Sequence, residues 1–379
     1  MNGFERLHAT LAFGQPDRIP LGFYVVDCDT IERVIGRKTY ARDKIRTQIA
    51  LWEGRRDEVV ESLKNDVVEF YRKIDLCDII CCKEAYCGVP QNYQPPKVRK
   101  IDATTWQDEV GRVYKVSELS NEFVCVEDPT LKGKEFTIDD FPPDQEIQPQ
   151  DESVFEAFDY LLQQLGQQRF ILGHSSLGAA PMLGGMEQGL CEYIANPDVV
   201  KAAIAQNVKR GNALDRQMIR PGQQGVLFEE DLGTTRASIL SPQMFREFCF
   251  PALKVRTQHV KSFGQKVFIH SCGHTWELLD MFIEAGIDAY QSLQTDAGMD
   301  LSKLKDRFAD RLVFWGGIAI EILVKGTPAD VRKNVRDALA VAKRRGGIIL
   351  GPSHSIAYGV PYDNFMALLD EFHKHAYYA

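Results

Sequence analysis

The sequence predicts an α/β fold, a (β/α)8 barrel, and three observations carry that expectation. From about residue 165 onward, short apolar runs alternate with amphipathic helical stretches. Each run leads into Gly, Ser, His or acidic residues, as expected of a parallel strand buried on both faces that opens into a loop. No internal repeat, low-complexity segment or long linker divides the 379 residues, and a 44% hydrophobic fraction suffices for one large core. Residues 1–379 are therefore expected to form a single domain.

Taken in order, residues 1–14 read as an amphipathic helix, Arg18–Val25 as a first strand and Asp78–Cys82 as a second. Lys97–Ile101, Arg112–Val116 and Phe123–Val126 alternate around a turn at Asp108–Gly111, which predicts a β-hairpin insertion over 92–130, a lid for the barrel mouth. Phe141–Asp151, with Pro142, Pro143 and Pro149, is a connector. Strands follow at Arg169–Leu172, Val226–Phe228, Lys266–Ile269, Ala289–Tyr290, Leu312–Trp315 and Ile348–Leu350. Helices lie between them. Ser241–Phe263 carries Pro251 as a kink or division, Thr275–Ala285 stops at Gly286, and Pro328–Arg345 starts after the N-cap Thr327 and ends at Gly346-Gly347. Strand and helix alternating at this spacing mean crossover units around a parallel sheet.

With 45 Lys+Arg against 53 Asp+Glu, the formal charge of −8 argues against nucleic acid as a partner. No apolar run approaches the roughly 20 residues of a membrane span. The first residues lack the basic start and apolar core of a signal peptide, so the expected location is cytoplasmic. The nine cysteines are odd in number and scattered, which does not describe a disulfide framework. The run Cys77, Cys81, Cys82 and Cys87 matches no zinc-finger spacing and reads as buried packing. Neither a phosphate-binding G-x-x-x-x-G-K-S/T loop, nor a G-x-G-x-x-G fingerprint after a strand, nor a G-x-S-x-G elbow occurs.

In a barrel, functional groups gather where strands end. That rule selects His174, Glu229-Glu230-Asp231, His270-Ser271-Cys272-Gly273, Gln291, the Trp315 strand end, and His354. A His and a Cys two apart at a strand end can face one metal, and imidazole with thiolate suits zinc. His354, at the end of the last strand, is the chosen third ligand. The bland alternative has Cys272 packing and His270 making ordinary hydrogen bonds. Carboxylates at the end of an apolar strand resist desolvation, which points to function for Glu230 and Asp231, while Glu229 stands equally as a solvated or capping residue.

Gly3-Phe4-Glu5-Arg6-Leu7 through Pro16-Asp17-Arg18-Ile19-Pro20 resembles the start of uroporphyrinogen decarboxylase superfamily proteins. Glu230-Asp231-Leu232-Gly233, Ser241-Pro242-Gln243-Met244-Phe245-Arg246, His270-Ser271-Cys272-Gly273, Phe314-Trp315-Gly316-Gly317-Ile318 and Gly351-Pro352-Ser353-His354 continue the likeness in order. The resemblance implies the barrel. True decarboxylases of this kind share an arginine-rich N-terminal motif for substrate carboxylates, but Leu21–Asp29 has no arginine and two aspartates, and Cys82 or a neighbour stands in place of their catalytic aspartate. The corrinoid-dependent methyltransferases of the superfamily resemble this chain in the His-x-Cys segment, which in them holds zinc with a distant third ligand, often a second Cys. Here His354 occupies the matching segment.

The resemblance thus implies a zinc-dependent methyltransferase that moves a methyl group from a small O-, N- or S-methyl substrate to a separate corrinoid protein. Cobalamin would come on that partner, since no D-x-H-x-x-G motif occurs. Glu230 or Asp231 would orient or protonate the leaving group, and His174, Gln291 and Trp315 would contact substrate. A homodimer is left open. Two other readings stand beside it: a metal-free decarboxylase acting on a less anionic substrate, and a non-catalytic binding protein.

Overall fold

The computed structural model describes residues 1–131, 133–308, 310–344 and 346–378. Its eleven strands, numbered in chain order, form two sheets. β1 (Ile79–Cys81), β6 (Phe170–His174), β7 (Gly225–Glu229), β8 (Lys266–His270), β9 (Ala289–Gln291), β10 (Val313–Ile318) and β11 (Ile348–Pro352) make a seven-stranded parallel sheet in that order. Helices connect its successive strands. The six strands expected between 169 and 350 all appear, each displaced by at most a few residues.

The sheet curls until its edges nearly meet, and residues 20–22 stitch them. Leu21 bridges Leu350 and Gly22 bridges Ile79, both in parallel sense. Gly22 N–H donates to Leu350 O at 2.9 Å, and Asp78 N–H donates to Leu21 O at 2.8 Å. The segment expected as a strand over Arg18–Val25 is thus a set of isolated bridges, at Arg18 to Tyr377 in antiparallel sense and at Leu21 and Gly22. A Cβ at Gly22 would fall 2.2 Å from the Ile79 side chain, so only glycine lets the backbone pass this close.

Alternation along the strands separates two cores. Ile80, Ile171, Val226, Phe228, Val267, Ile269, Phe314 and Leu350 face the surrounding helices. Ile79, Cys81, Phe170, Leu172, Leu227, Phe268, Ala289, Val313, Trp315 and Ile349 fill the interior, together with Leu7 and Leu11 of the helix Gly3–Leu11. A buried ion cluster fixes that helix to the sheet: Asp78 accepts from Arg6 at 2.6 Å, from Arg18 at 2.7 Å and from Leu21 N–H at 2.8 Å. A second cluster lies outside the ring. Asp215 and Arg256, both fully buried, pair at 2.5 Å, and Arg256 also donates to Ser175 and to Ser176 O.

Two expectations change in detail. Residues 92–130 hold a four-stranded antiparallel sheet instead of a hairpin, namely β2 (Val98–Lys100), β3 (Thr105–Asp108), β4 (Val113–Ser117) and β5 (Glu122–Glu127). Trp106 and Phe123 of this sheet pack on Trp52. The stretch around Pro251 stays helical: a π turn at Phe245–Cys249 leads into the helix Phe250–Lys261, and the wider turn absorbs the proline's missing N–H. The helix Pro328–Ala342 starts with the Thr327–Asp330 capping box. Its expected end, Arg345, lies outside the described residues. Cys77, Cys81 and Cys82 are buried packing residues and Cys87 is half-buried. Among the described residues, no helix is long and apolar enough to cross a membrane.

Glu84, just after β1, is 1% exposed and accepts from Tyr71 and from Val26 N–H. Burial pushes its carboxyl up to about 7. A carboxyl raised on folding takes up a proton in the folded state, so its stabilising contribution is full below its unfolded value and is lost as pH rises to about 7. Unfolding free energy is expected to fall over that window, and Glu84→Gln to flatten the fall by up to roughly 3 kcal/mol, as read from denaturant melts at several pH values.

Candidate metal centre and its cavity

The alternation that sends Phe268 inward sends His270 inward as well, at the carboxyl end of β8. Register then aligns Glu229 with His270 and His270 with Gln291 across β7, β8 and β9. His174 ends β6 on the same rim. Of these, Glu229 and His270 line a cavity of about 580 Å³ above the apolar interior, while His174 and Gln291 lie behind its wall. Tyr24, Arg42, Lys83, Glu230, Asp231 and His354 also line it, and Ser120 and Glu122 reach it from the β4–β5 turn.

His270 is buried, and Gln291 Oε1 accepts from its Nδ1, which leaves Nε2 as the free donor atom. Burial pushes this imidazole down to about 4, so it is neutral and its lone pair is available. Cys272 Sγ lies 3.3 Å from that Nε2. The loop is pinned by Ser271, whose hydroxyl accepts from Leu232 N–H at 2.9 Å, and by Asp231, which accepts from Cys272 N–H at 3.0 Å. Gly273 has φ +81°, and a Cβ there would come within 2.4 Å of the Gly233 backbone. This contact brings the two strand-end loops together.

His354 follows β11 from the opposite side of the ring, its imidazole centroid 6.0 Å from that of His270. One donor atom each from His270, Cys272 and His354 lies within 4.8 Å of the others. Tetrahedral zinc holds its ligands roughly 3.3–3.7 Å apart. The 3.3 Å S–N contact fits that spacing, and rotation of the exposed His354 can shorten the rest. Burial, with Asp231 beside it, pushes the Cys272 thiol up to about 12, the direction a divalent cation reverses. The donor set therefore fits a metal.

The ring of Tyr24 lies flat on His270, 4.0 Å between centroids and 4° from parallel, and edge-on to His354. Its hydroxyl donates to Glu229 at 2.5 Å and accepts from Lys83 at 2.9 Å, while Lys83 also reaches Glu229 at 2.6 Å. Glu230 is half-buried and accepts from Ala179 and Ala180 N–H; burial pushes it up to about 7. Asp231 is 66% exposed, with Oδ1 3.8 Å from His270 Nε2.

His174 is half-buried, 3.7 Å from Glu229, and its Nδ1 has no hydrogen-bond partner among the described residues. Gln291 and Trp315, expected to touch substrate, do not line the cavity. Both are fully buried: Gln291 is bound to His270, and Trp315 belongs to the interior core and donates to Gly22 O at 3.2 Å. Tyr24 and Lys83 are the site residues missed by sequence reasoning. Lys83 directly follows the expected strand Asp78–Cys82, so the strand-end rule applied to the N-terminal third would have selected it.

The family described as Uroporphyrinogen decarboxylase (URO-D) matches residues 120–375. Among solved structures, a methyltransferase from Methanosarcina mazei is similar, with a TM-score of 0.63 at 14% identity over 99% of both chains, a likeness of fold. A Xaa-Pro dipeptidase aligns over 57% of this chain and 56% of its own at 14% identity with a TM-score of 0.29, too low to inform the fold. No curated protein matches the chain by sequence.

Proposed function

The chain belongs to the uroporphyrinogen decarboxylase family, and from that membership we propose that it is a zinc-dependent methyltransferase passing a methyl group from a small methylated compound to a separate corrinoid protein. The observation that carries the reading is the approach of His270, Cys272 and His354 to within 4.8 Å of one another, with His270 and His354 lining the cavity. Bound zinc would supply Lewis acidity to the heteroatom that bears the methyl group.

The chain's own residues do the rest. Gln291 and Tyr24 hold His270 in one tautomer and one plane. Asp231 fixes the Cys272 backbone and, with Glu230, orients the leaving end of the substrate, while His174 contacts it from the β6 side. We further read the fold as a single (β/α)8 barrel domain in which residues 20–22 serve as the eighth strand, and the location as cytoplasmic.

The decarboxylase alternative is disfavoured by the cavity's charges. Arg42 pairs with Asp27, Lys44 with Glu122 and Lys83 with Glu229, so each of these cations is already engaged. A polycarboxylate substrate needs cations to spare. Protein purified under reducing conditions without chelator is expected to contain one zinc per chain, and chelation should abolish methyl transfer to a corrinoid protein. Metal-free protein that is nonetheless active would overturn the reading.

A further inference from the structure

We propose that Lys83 is the proton donor to the leaving group, and that the methyl donor is consequently an ether or thioether, not a methylammonium compound. The inference rests on the methyl-transfer reading and narrows it. Lys83 is held by two acceptors, Tyr24 Oη at 2.9 Å and Glu229 Oε2 at 2.6 Å. An ammonium has three protons, so one remains, and the side chain, 36% exposed, lines the cavity. Tyr24 fixes where that proton lies relative to the candidate ligands, because its ring is stacked on His270 while its hydroxyl carries the lysine.

The carboxyl groups beside it are anchored as acceptors of backbone N–H groups, which suits them to orienting the substrate. Glu230 accepts from Ala179 and Ala180 N–H, and Asp231 accepts from Cys272 N–H. Lys44 also lines the cavity with two acceptors, Ser120 O and Glu122, but it is tied to the β4–β5 turn, whereas Lys83 is held by the residue whose ring covers His270. Tyr24 and Glu229 are the positioning residues of Lys83.

The step balances as follows. Cobalt(I) of the corrinoid supplies the electron pair of the new bond to the methyl carbon. The pair of the broken carbon–oxygen or carbon–sulfur bond stays on the heteroatom, which takes one Nζ proton from Lys83. The neutral amine regains a proton from water at the open side of the cavity. An ether or thioether leaves as an anion and needs that proton, whereas a methylammonium leaves as a neutral amine and does not.

The test uses zinc-loaded full-length protein, free cob(I)alamin as acceptor, and methyl phenyl ethers whose phenols range from weakly to strongly acidic, with tetramethylammonium as the contrasting donor. Methylcobalamin formation is followed spectroscopically. Lys83→Met is expected to slow transfer by about 10²–10⁴-fold for the least acidic phenol, and progressively less towards the nitrophenyl ether. Lys83→Arg should keep the pairing to Glu229, zinc content and thermal transition of the wild type yet show the same graded loss, because a guanidinium does not give up its proton. Tetramethylammonium should be the poorest donor for the wild type. A loss equal across the ethers, full activity in Lys83→Arg, or preference for tetramethylammonium would overturn the inference alone. A wild type that transfers methyl from none of these donors would overturn the proposed function and this inference with it.

Discussion

Cys272→Ser protein is expected to fold and to lose its zinc. The thiolate is the one charged donor in the set, and a serine hydroxyl is a poor ligand for zinc at neutral pH. Methyl transfer should drop by more than the roughly 10–100-fold that loss of a hydrogen-bond partner behind a ligand costs. The fold should survive, because Cys272 lies in a rim loop and belongs to neither apolar core. Metal analysis after dialysis, beside a thermal melt, checks both halves. Stoichiometric zinc in the variant would remove Cys272 from the site. His354→Ala is the companion measurement: full zinc with impaired turnover would make His354 a substrate contact and transfer the third-ligand role to Asp231 or Glu230.

The largest expected loss of stability lies at Asp215. Truncating it to Ala leaves the Arg256 guanidinium, 0% exposed, without its carboxylate. Breaking a buried pair from one side costs about 3–5 kcal/mol. Asp215→Asn should cost less, since an amide oxygen still accepts from the guanidinium. The damage should also reach the site. Arg256 and Asp215 together hold Ser175 and Ser176, at the start of the loop whose Ala179 and Ala180 N–H groups grip Glu230. Guanidinium unfolding midpoints measure the effect, and a change below about 1 kcal/mol for Asp215→Ala would contradict this account.

Sequence reasoning reached the strands from 169 to 350 because each is apolar on both faces, a pattern that solvent-facing structure does not imitate. It brought His270, Cys272 and His354 together as candidates because the carboxyl ends of strands in one curled parallel sheet share a rim. It did not reach β3, where Thr105-Trp106-Gln107-Asp108 is too short and polar to stand out from a turn. Nor did it find the closure at 20–22, since two bridges made by Leu21 and Gly22 have no periodicity. Gln291 and Trp315 show the limit of the strand-end rule. It gave their position along the strand but not their depth, and depth depends on how the curled sheet stacks its layers. Tyr24 and Lys83 needed the closed ring, which sets β1 and the chain before it against β7 and β8.

The seam at residues 20–22 also bears on the order in which the molecule can be completed during synthesis. Leu21 sits against Leu350, and Asp27 accepts from Tyr358 N–H across 331 residues of chain. These partners do not exist until nearly all the intervening sequence has left the ribosome. Until then β1 has a bare flank, with unpaired peptide groups and its half of the interior core facing water. Entropically expensive long-range contacts of this kind form late. The site inherits that timing: His354 leaves the ribosome after His270 and Cys272, and Tyr24, made early, finds its stacking partner only when β8 has been added. A nascent chain thus carries two of the three candidate ligands until its final strand bridges the sheet edges.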